Sequence, residues 1–177
     1  LDLPTTTEQV QAALRQIGIS SDNPQGLFIS GYFAEEEKRF AISYNMVLAS
    51  NVDELNFLAS RLETLSTGER AELNAALQAP QSELFSIGRI TDFPENVDYY
   101  VHLPDVHGPA QLGDYYLNRS GMVDMPEEWK GGIDTAQFGR YVAQQEQGAF
   151  TQYGYLVKSG DEWQKVHEGQ PVPEEYR

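Results

Sequence analysis

Apolar residues recur at helical spacing near the start of the chain, at Val10, Ala13, Leu14 and Ile17. Steps of three and four residues place these side chains on one face, because an α-helix has about 3.6 residues per turn. Thr5 and Glu8 have the spacing of a capping box, which marks a helix N-terminus, and Gly18 is typical of a helix end. The pattern therefore predicts a first amphipathic helix over about residues 6–17.

Two more helices are predicted between residues 50 and 80. The apolar positions of the first are Val52, Leu55, Ala59, Leu62 and Leu65. Either Ser50 or Asn51 is suited to cap its N-terminus, because both side chains accept hydrogen bonds from free backbone N–H groups. Ser66 and Glu69 form a second capping-box spacing, and the helix that they open must end before Pro80.

The pattern changes between the first helix and this helical pair. Residues 27–33 and 39–49 are rich in β-branched and aromatic side chains, which are typical of strands. The charged run Glu35, Glu36, Glu37 and Lys38 lies between them. The sequence therefore predicts a strand pair joined by an acidic turn.

Further elements alternate in the second half of the chain. The pattern predicts a weak helix near residues 84–90, a strand at 97–103, helices at 109–118 and 133–147, and a hairpin of strands 150–158 and 163–166. The turn of that hairpin would be formed by Ser159, Gly160 and Asp161. The tail from Glu168 onward contains two prolines and is expected to be loosely held.

The order of these elements separates helices from strands and does not wind them as βαβ units, so it predicts an α+β fold with short antiparallel sheets. Boundaries near residues 49 and 80 give two to three small domains. They divide the chain into an N-terminal α/β segment (1–49), a central helical segment (50–80) and a C-terminal α+β domain with a final hairpin (81–177).

The net charge restricts the choice of partners. The 177 residues include 27 acidic and 12 basic side chains, a formal net charge of -15, and residues 80–134 alone hold ten acids and three bases. Such a protein repels phosphate backbones and anionic membrane surfaces, so we expect no nucleic-acid or membrane partner. Electrostatic steering instead favours a partner with a basic surface. The chain has no cysteine, which suits a reducing cytoplasm and excludes disulfides and thiolate metal sites.

No set of residues has the spacing of a reaction centre. His102, His107 and His167 are too scattered for a metal site, and the Gly131–Gly132 pair lacks the surroundings of a phosphate loop. We therefore expect no enzymatic activity, no metal and no cofactor. Phe138 and Tyr141 are most simply explained as core residues of the helix at 133–147.

Several stretches of the sequence resemble stretches of one known protein family and follow each other in the same order as in that family. The main one contains Gly121, Met122, Val123, Asp124, Met125, Pro126 and Glu127, followed by Ile133, Asp134, Ala136, Phe138, Gly139 and Arg140. The others are residues 53–62, Leu112 to Tyr116, and Gly148 to Tyr155. Together they resemble the ArdA antirestriction proteins over roughly residues 3–158, and residues 121–127 match the stretch called the antirestriction motif. Tyr141 departs from the pattern, because an acidic residue is common at that position.

This resemblance implies both a fold and a function. Members of the family are elongated, dimeric α+β proteins that imitate the shape and charge of bent B-form DNA. They occupy the DNA groove of type I restriction-modification enzymes, and plasmids and conjugative transposons carry them. The resemblance implies that the hydrophobic part of the motif, Met122, Val123 and Met125, is a dimer contact or part of the core, and that the partner is the methyltransferase core of such an enzyme.

Charge density limits how a protein can imitate DNA. A compact protein of 19.9 kDa exposes about 8,700 Å², which gives its acids roughly one charge per 320 Å². Duplex DNA carries a charge every ~1.7 Å of axis, or about one per 110 Å² of its surface. Mimicry therefore requires the carboxylates to be concentrated on one face. The candidates are Glu35, Glu36, Glu37, Asp92, Glu95, Asp98, Asp105, Asp114, Asp124, Glu127, Glu128 and Asp134.

Three alternatives remain open from the sequence. Each of these carboxylates also fits an ordinary solubilising surface, and Asp134 stands where a helix N-cap is expected. The chain also fits an acidic interaction module of a mobile element that binds another basic protein. The third alternative is a cytoplasmic protein whose acidity is an adaptation to salt.

Overall fold

The computed structural model describes residues 1–19, 29–34 and 39–177. In these residues the helices are α1 (Thr7–Gln16), α2 (Tyr44–Leu48), α3 (Val52–Glu63), α4 (Thr67–Gln78), α5 (Ile87–Thr91), α6 (Pro109–Asp114), α7 (Glu127–Lys130) and α8 (Thr135–Gln145). The strands are β1 (Tyr100–Leu103), β2 (Ala149–Thr151) and β3 (Gly154–Lys158). Helices with one small antiparallel sheet confirm the predicted α+β class. The predicted acidic turn at Glu35–Lys38 lies outside the described residues.

The chain forms two compact units, each assembled from separate stretches of sequence. Unit 1 contains Leu1–Arg70, Glu83–Asn96 and Gln164–Arg177, and unit 2 contains Ala71–Ser82 and Val97–Trp163. The division into segments 1–49, 50–80 and 81–177 stays a prediction. Among the helices of the described residues, none is long and apolar enough to cross a lipid bilayer.

Capping boxes begin α1, α3 and α4; the sequence predicts the box at α4 and, at α3, a cap by Ser50 or Asn51. At α3, the Glu54 backbone N–H donates to the Asn51 side chain (2.9 Å) and the Asn51 N–H donates to the Glu54 carboxylate (3.2 Å). Ser66 and Glu69 make the same exchange at α4. At α1 the box is formed by Thr6 and Gln9, one residue later than the predicted Thr5 and Glu8. The helix starts are thus set by local hydrogen bonds.

The core of unit 1 is formed where α3 packs against α5. Phe57, Leu58 and Leu62 of α3 are buried, and so are Ile87 and Ile90 of α5. The helix is confirmed, and Leu62 is buried as its apolar spacing predicts. Val52, Leu55 and Ala59 of the predicted face are only half-buried, whereas Phe57 and Leu58 supply core side chains that the predicted face did not include.

The predicted strand pair in residues 27–49 is wrong in its described part. Residues 29–34 and 39–43 contain no strand, and Tyr44–Leu48 forms α2. β-branched and aromatic side chains favour a strand only when a neighbouring strand accepts its backbone hydrogen bonds. Residues 29–34 and 39–49 make no strand pairing within the described chain, and only Val47 of α2 is buried.

Unit 2 contains the sheet, in the order β1-β3-β2 with both pairs antiparallel. Tyr100 lies opposite Lys158 and Leu103 opposite Tyr155, while Thr151 lies opposite Gly154. The hairpin therefore turns at residues 152–153, inside the run predicted as a single strand, and residues 163–166 form no strand. Gly154 explains this turn, because it has φ of +114° and a Cβ there would lie 2.4 Å from the Leu103 carbonyl oxygen.

Helices α6 and α8 cross closely in unit 2 because glycine lies at the contact. A Cβ at Gly113 of α6 would lie 1.9 Å from the Thr135 carbonyl oxygen. A π-helical turn, Tyr115–Arg119, continues α6. The buried side chains around this crossing include Val106, Leu112 and Tyr155. Backbone contact between α6 and α8 thus positions the loop and helix that carry residues 121–127.

Candidate acidic interface

The candidate carboxylates have different surroundings in the two units. Asp92 and Glu95 belong to unit 1, and the candidates from Asp98 to Asp134 belong to unit 2. Glu35, Glu36 and Glu37 lie outside the described residues. The described candidates therefore do not form one set within a single unit.

Asp92 is fully buried, so it is not part of an exposed acidic surface. Its carboxylate accepts hydrogen bonds from the backbone N–H groups of Val166 (3.2 Å), His167 (2.6 Å) and Glu168 (3.2 Å). Three backbone donors satisfy a buried carboxylate without a cation. The sequence carried no local sign of this role, because the donors lie 74–76 positions further along the chain.

Glu95 is also engaged within unit 1. Its carboxylate forms an ion pair with the Arg61 guanidinium, and the two side chains are only 31% and 21% exposed. The charge of Glu95 is therefore matched by a nearby cation. Glu95 contributes little net negative potential to the surface of the protein.

The unit 2 carboxylates lie between residues 98 and 134, which we call the acidic segment. Its acidic side chains are Asp98, Asp105, Asp114, Asp124, Glu127, Glu128 and Asp134. All of them are exposed except Asp114, which is half-buried. Asp98 precedes β1 and Asp105 follows it, while Glu127 and Glu128 occupy the first turn of α7. Short loops and helix starts thus carry the carboxylates.

Only two basic residues occur in the acidic segment, and each already has an acidic partner. Arg119 Nε lies 3.5 Å from Asp114 Oδ2, and Lys130 Nζ lies 2.6 Å from Glu127 Oε1. The remaining carboxylates make no ion pair within the described part of the chain; they are Asp98, Asp105, Asp124, Glu128 and Asp134. These five exposed carboxylates give the segment its uncompensated negative charge.

Asp134 has a structural role as well. It is the N-cap of α8, and its Oδ1 accepts hydrogen bonds from the backbone N–H groups of Ala136 (2.9 Å) and Gln137 (3.0 Å). The helix N-terminus and the carboxylate stabilise each other electrostatically. Because Asp134 remains exposed, capping does not remove its charge from the surface.

Residues 121–127 expose apolar surface beside these charges. Met122 is 75% exposed, Val123 and Met125 are half-buried, and Gly121 adopts φ of +70°. Met122 is therefore not a core residue of the single chain. Tyr141, which was expected in the core, is 59% exposed.

A cluster that the sequence did not indicate supports unit 2 from within. The hydroxyls of Tyr116 (2.8 Å) and Tyr155 (2.6 Å) donate to the two carboxylate oxygens of Glu146. Burial first, and then the hydrogen bond to Glu146, raises the pKa of both tyrosines. Both phenols therefore stay protonated and keep donating. The cluster holds the end of α8 against β3.

A metal-binding role has no support in the described residues, where no group of three or more His, Asp or Glu side chains is arranged to hold an ion. His102 is engaged in unit 2, because its Nε2 lies 2.7 Å from the Tyr153 carbonyl oxygen. The notable chemical property of unit 2 is thus its exposed negative charge.

Comparison with known proteins identifies the family. A search among curated proteins found no match. A family model described as antirestriction protein (ArdA) matches residues 1–157. Because this match spans most of the 177 residues, the chain belongs to the ArdA family of antirestriction proteins.

Proposed function

We propose that this protein protects DNA from restriction by imitating B-form DNA and occupying the DNA-binding groove of a type I restriction-modification enzyme. The observation that supports the proposal is the set of five exposed carboxylates in the acidic segment that have no cationic partner among the residues described by the structure. In this proposal they replace backbone phosphates against lysine and arginine side chains of the methyltransferase core. The protein would act in the cytoplasm, where such enzymes meet DNA.

The proposed mechanism is competitive occupancy without a catalysed reaction. Complementary potentials accelerate encounter, and exposed charges act over a Debye length of about 8 Å at physiological salt. Each ion contact at the rim of such an interface contributes little by itself, about 0–1 kcal/mol. Affinity therefore depends on many carboxylates acting together, and it should fall steeply as salt increases.

We further propose that two copies associate through the antirestriction-motif residues 121–127. The exposed side chain of Met122 supports this contact, because burying an exposed apolar side chain against a second copy is favourable. A dimer would extend the set of carboxylates that faces the enzyme. Sedimentation of Met122→Lys beside the unchanged protein tests the contact, because a lysine at a dimer interface would shift the population to monomer.

The proposed mimicry is tested by displacement of labelled duplex DNA from a type I methyltransferase. The segment variant carries Asp98→Asn, Asp105→Asn, Asp124→Asn, Glu128→Gln and Asp134→Asn. The control variant removes the same number of charges at exposed sites elsewhere, through Asp2→Asn, Glu63→Gln, Glu162→Gln, Glu174→Gln and Glu175→Gln. We expect the segment variant to need roughly 100-fold more protein for half-displacement, and the control variant to change the requirement only a few-fold.

Equal weakening by the two variants would contradict a specific role of the acidic segment. That outcome would favour the second candidate function, an acidic interaction module that binds another basic protein. Binding would then depend on the net charge of the protein and not on the carboxylates of the acidic segment. The segment's exposed carboxylates also fit that candidate. Affinity capture from cells with and without a type I system separates the two, because only the proposed inhibitor requires the restriction enzyme as its main partner.

A further inference from the structure

The last residues of the chain form a docked segment beyond the family match. Residues 164–177, which we call the strap, belong to unit 1, whereas the family model ends at residue 157. The two prolines of the tail predicted a loosely held end. The structure instead holds the strap at two places, through side chains of α3, α5 and the residues that follow α5.

The first attachment joins residues 164–168 to the end of α5. The buried Asp92 accepts from three successive strap N–H groups, as described above. Asn96 adds a reciprocal pair, because its Nδ2 donates to the Gln164 carbonyl oxygen (2.9 Å) and its Oδ1 accepts from the Gln164 N–H (2.7 Å). Arg89 Nε also lies 3.0 Å from Glu168 Oε2. The backbone and side-chain contacts of this attachment with Asp92, Asn96 and Arg89 are all polar.

The second attachment lies at the end of the strap. The Asn56 side chain of α3 donates to the Tyr176 carbonyl oxygen (3.3 Å). The Phe57 ring lies 5.0 Å from the Tyr176 ring, measured between centroids, and 5.0 Å from the His167 ring. One aromatic contact and one long hydrogen bond, both made by Tyr176, therefore hold this end to α3, while His167 adds a ring contact from the first attachment.

The strap adds no residue to the hydrophobic core. Every residue from 164 to 177 is exposed or half-buried, whereas the buried side chains of unit 1 belong to α1, α2, α3, α5 and nearby loops. Segments with few buried apolar contacts open locally at a lower free energy than the whole domain. Departure of the strap would uncover one side of Phe57 but would remove no buried apolar side chain from the core.

A cavity lies between the two attachments. Its volume is about 320 Å³, and it is lined by Glu54 and Phe57 of α3, by Ile87 and Thr91 of α5, and by strap residues 169–172. Residues 169–172 of the strap thus lie over the cavity and do not fill it. Atoms that line a cavity lack van der Waals contacts on that side, so less attraction opposes opening of the strap.

We propose that the strap is a lid that opens as a unit while α3 and α5 stay folded, exposing Asp92 and the cavity beneath. Opening replaces the backbone donors of Asp92 with water, which solvates a carboxylate well. The attachment at Asp92 therefore controls the population of the open state. This property is independent of the proposed inhibition of restriction enzymes.

Amide hydrogen exchange of the full chain tests the proposal with a matched pair of variants. His167→Pro removes the N–H that donates to Asp92, whereas His167→Ala removes the same ring contact but keeps that N–H. We expect strap amides to exchange roughly tenfold faster in His167→Pro than in His167→Ala. The reason is that only the proline variant lacks the hydrogen bond to the Asp92 carboxylate, a charged acceptor. Exchange in α3 and α5 should be unchanged.

Two results would overturn the proposal. If strap amides exchange at equal rates in the two variants, the attachment at Asp92 does not control opening. If the rates in α3 and α5 rise together with those of the strap, or if His167→Pro does not fold, the strap is part of the cooperative core and is not a lid.

Discussion

Gly139 of α8 faces the carbonyl oxygen of Pro109 in α6 so closely that a Cβ at residue 139 would lie 1.8 Å from that oxygen. The same Cβ would lie 2.8 Å from the backbone N of Gly113. Both neighbours are backbone atoms, so no side-chain rotation relieves the clash. Glycine at residue 139 is therefore a condition for the observed crossing of α6 and α8.

Gly139→Ala should destabilise unit 2 by about 1–3 kcal/mol, the usual cost of overpacking. Alanine has the higher helix propensity by about 1 kcal/mol, but the backbone clash outweighs this gain. Trp129 and Trp163 are the only tryptophans of the chain and both belong to unit 2, so urea unfolding followed by tryptophan fluorescence reports on this unit. Gly131→Ala is the control, because a Cβ there meets nothing within 4 Å. An equal loss of stability in both variants would contradict the role of glycine at the crossing of α6 and α8.

Tyr155→Phe should destabilise unit 2 by about 1.5–3 kcal/mol, because the charged acceptor Glu146 Oε1 loses the hydrogen bond that the Tyr155 hydroxyl donates. Tyr153→Phe is the matched control, since the Tyr153 hydroxyl makes no hydrogen bond within the described part of the chain and the ring is half-buried. We expect its effect to stay within about 0.5 kcal/mol. Urea unfolding measures both values, and a similar loss in both proteins would refute the role of the Glu146 cluster.

Unit 2 should lose stability in alkaline solution. Burial, and then the hydrogen bond to Glu146, raises the pKa of Tyr155, so the folded protein holds the phenolic proton more tightly than the unfolded chain does. The resulting stabilisation is complete below the unfolded pKa of about 10 and is lost as pH rises above it. The fully buried Tyr155 contributes a slope of up to about 1.4 kcal/mol per pH unit. Tyr155→Phe should show a shallower decline between pH 9 and 11 in urea-unfolding measurements.

Asn56→Ala should destabilise unit 1 by about 1–3 kcal/mol. The fully buried Asn56 side chain accepts from the Thr5 N–H (2.7 Å) and donates to the Thr5 carbonyl oxygen (2.9 Å). Alanine would leave these backbone groups without partners. Far-ultraviolet circular dichroism during urea unfolding measures the change. Asn45→Ala, at an exposed position of α2, should change stability by less than about 0.5 kcal/mol.

Asp92→Asn and Asp124→Asn should affect different properties although each removes one negative charge. Asp92→Asn should cost about 1–3 kcal/mol of folding stability, because the buried carboxylate loses charge-assisted hydrogen bonds. Asp124→Asn should leave stability within about 0.5 kcal/mol and slightly reduce the salt dependence of methyltransferase binding. Unfolding curves and displacement titrations at two salt concentrations check both statements. A change of salt dependence in Asp92→Asn alone would contradict the proposed interface.

The helices of this protein were predictable where their causes are local. Asn51 and Glu54 exchange hydrogen bonds within one turn, and the apolar spacing of α3 repeats every three or four residues, so a short window of sequence contains the information. The sheet was harder to predict. The pairing of β1 with β3 depends on Gly154 fitting against Leu103, a contact between residues 51 positions apart.

The sequence by itself determined the net charge, the absence of cysteine, the starts of α3 and α4 and the resemblance to the ArdA family, because each is a property of composition or of neighbouring residues. Only the tertiary structure decided what each carboxylate does. Asp92 and Asp124 are the same residue type, yet one is buried by backbone donors from the far end of the chain and the other faces solvent. That difference arises from contacts over more than 70 positions, which local patterns do not encode.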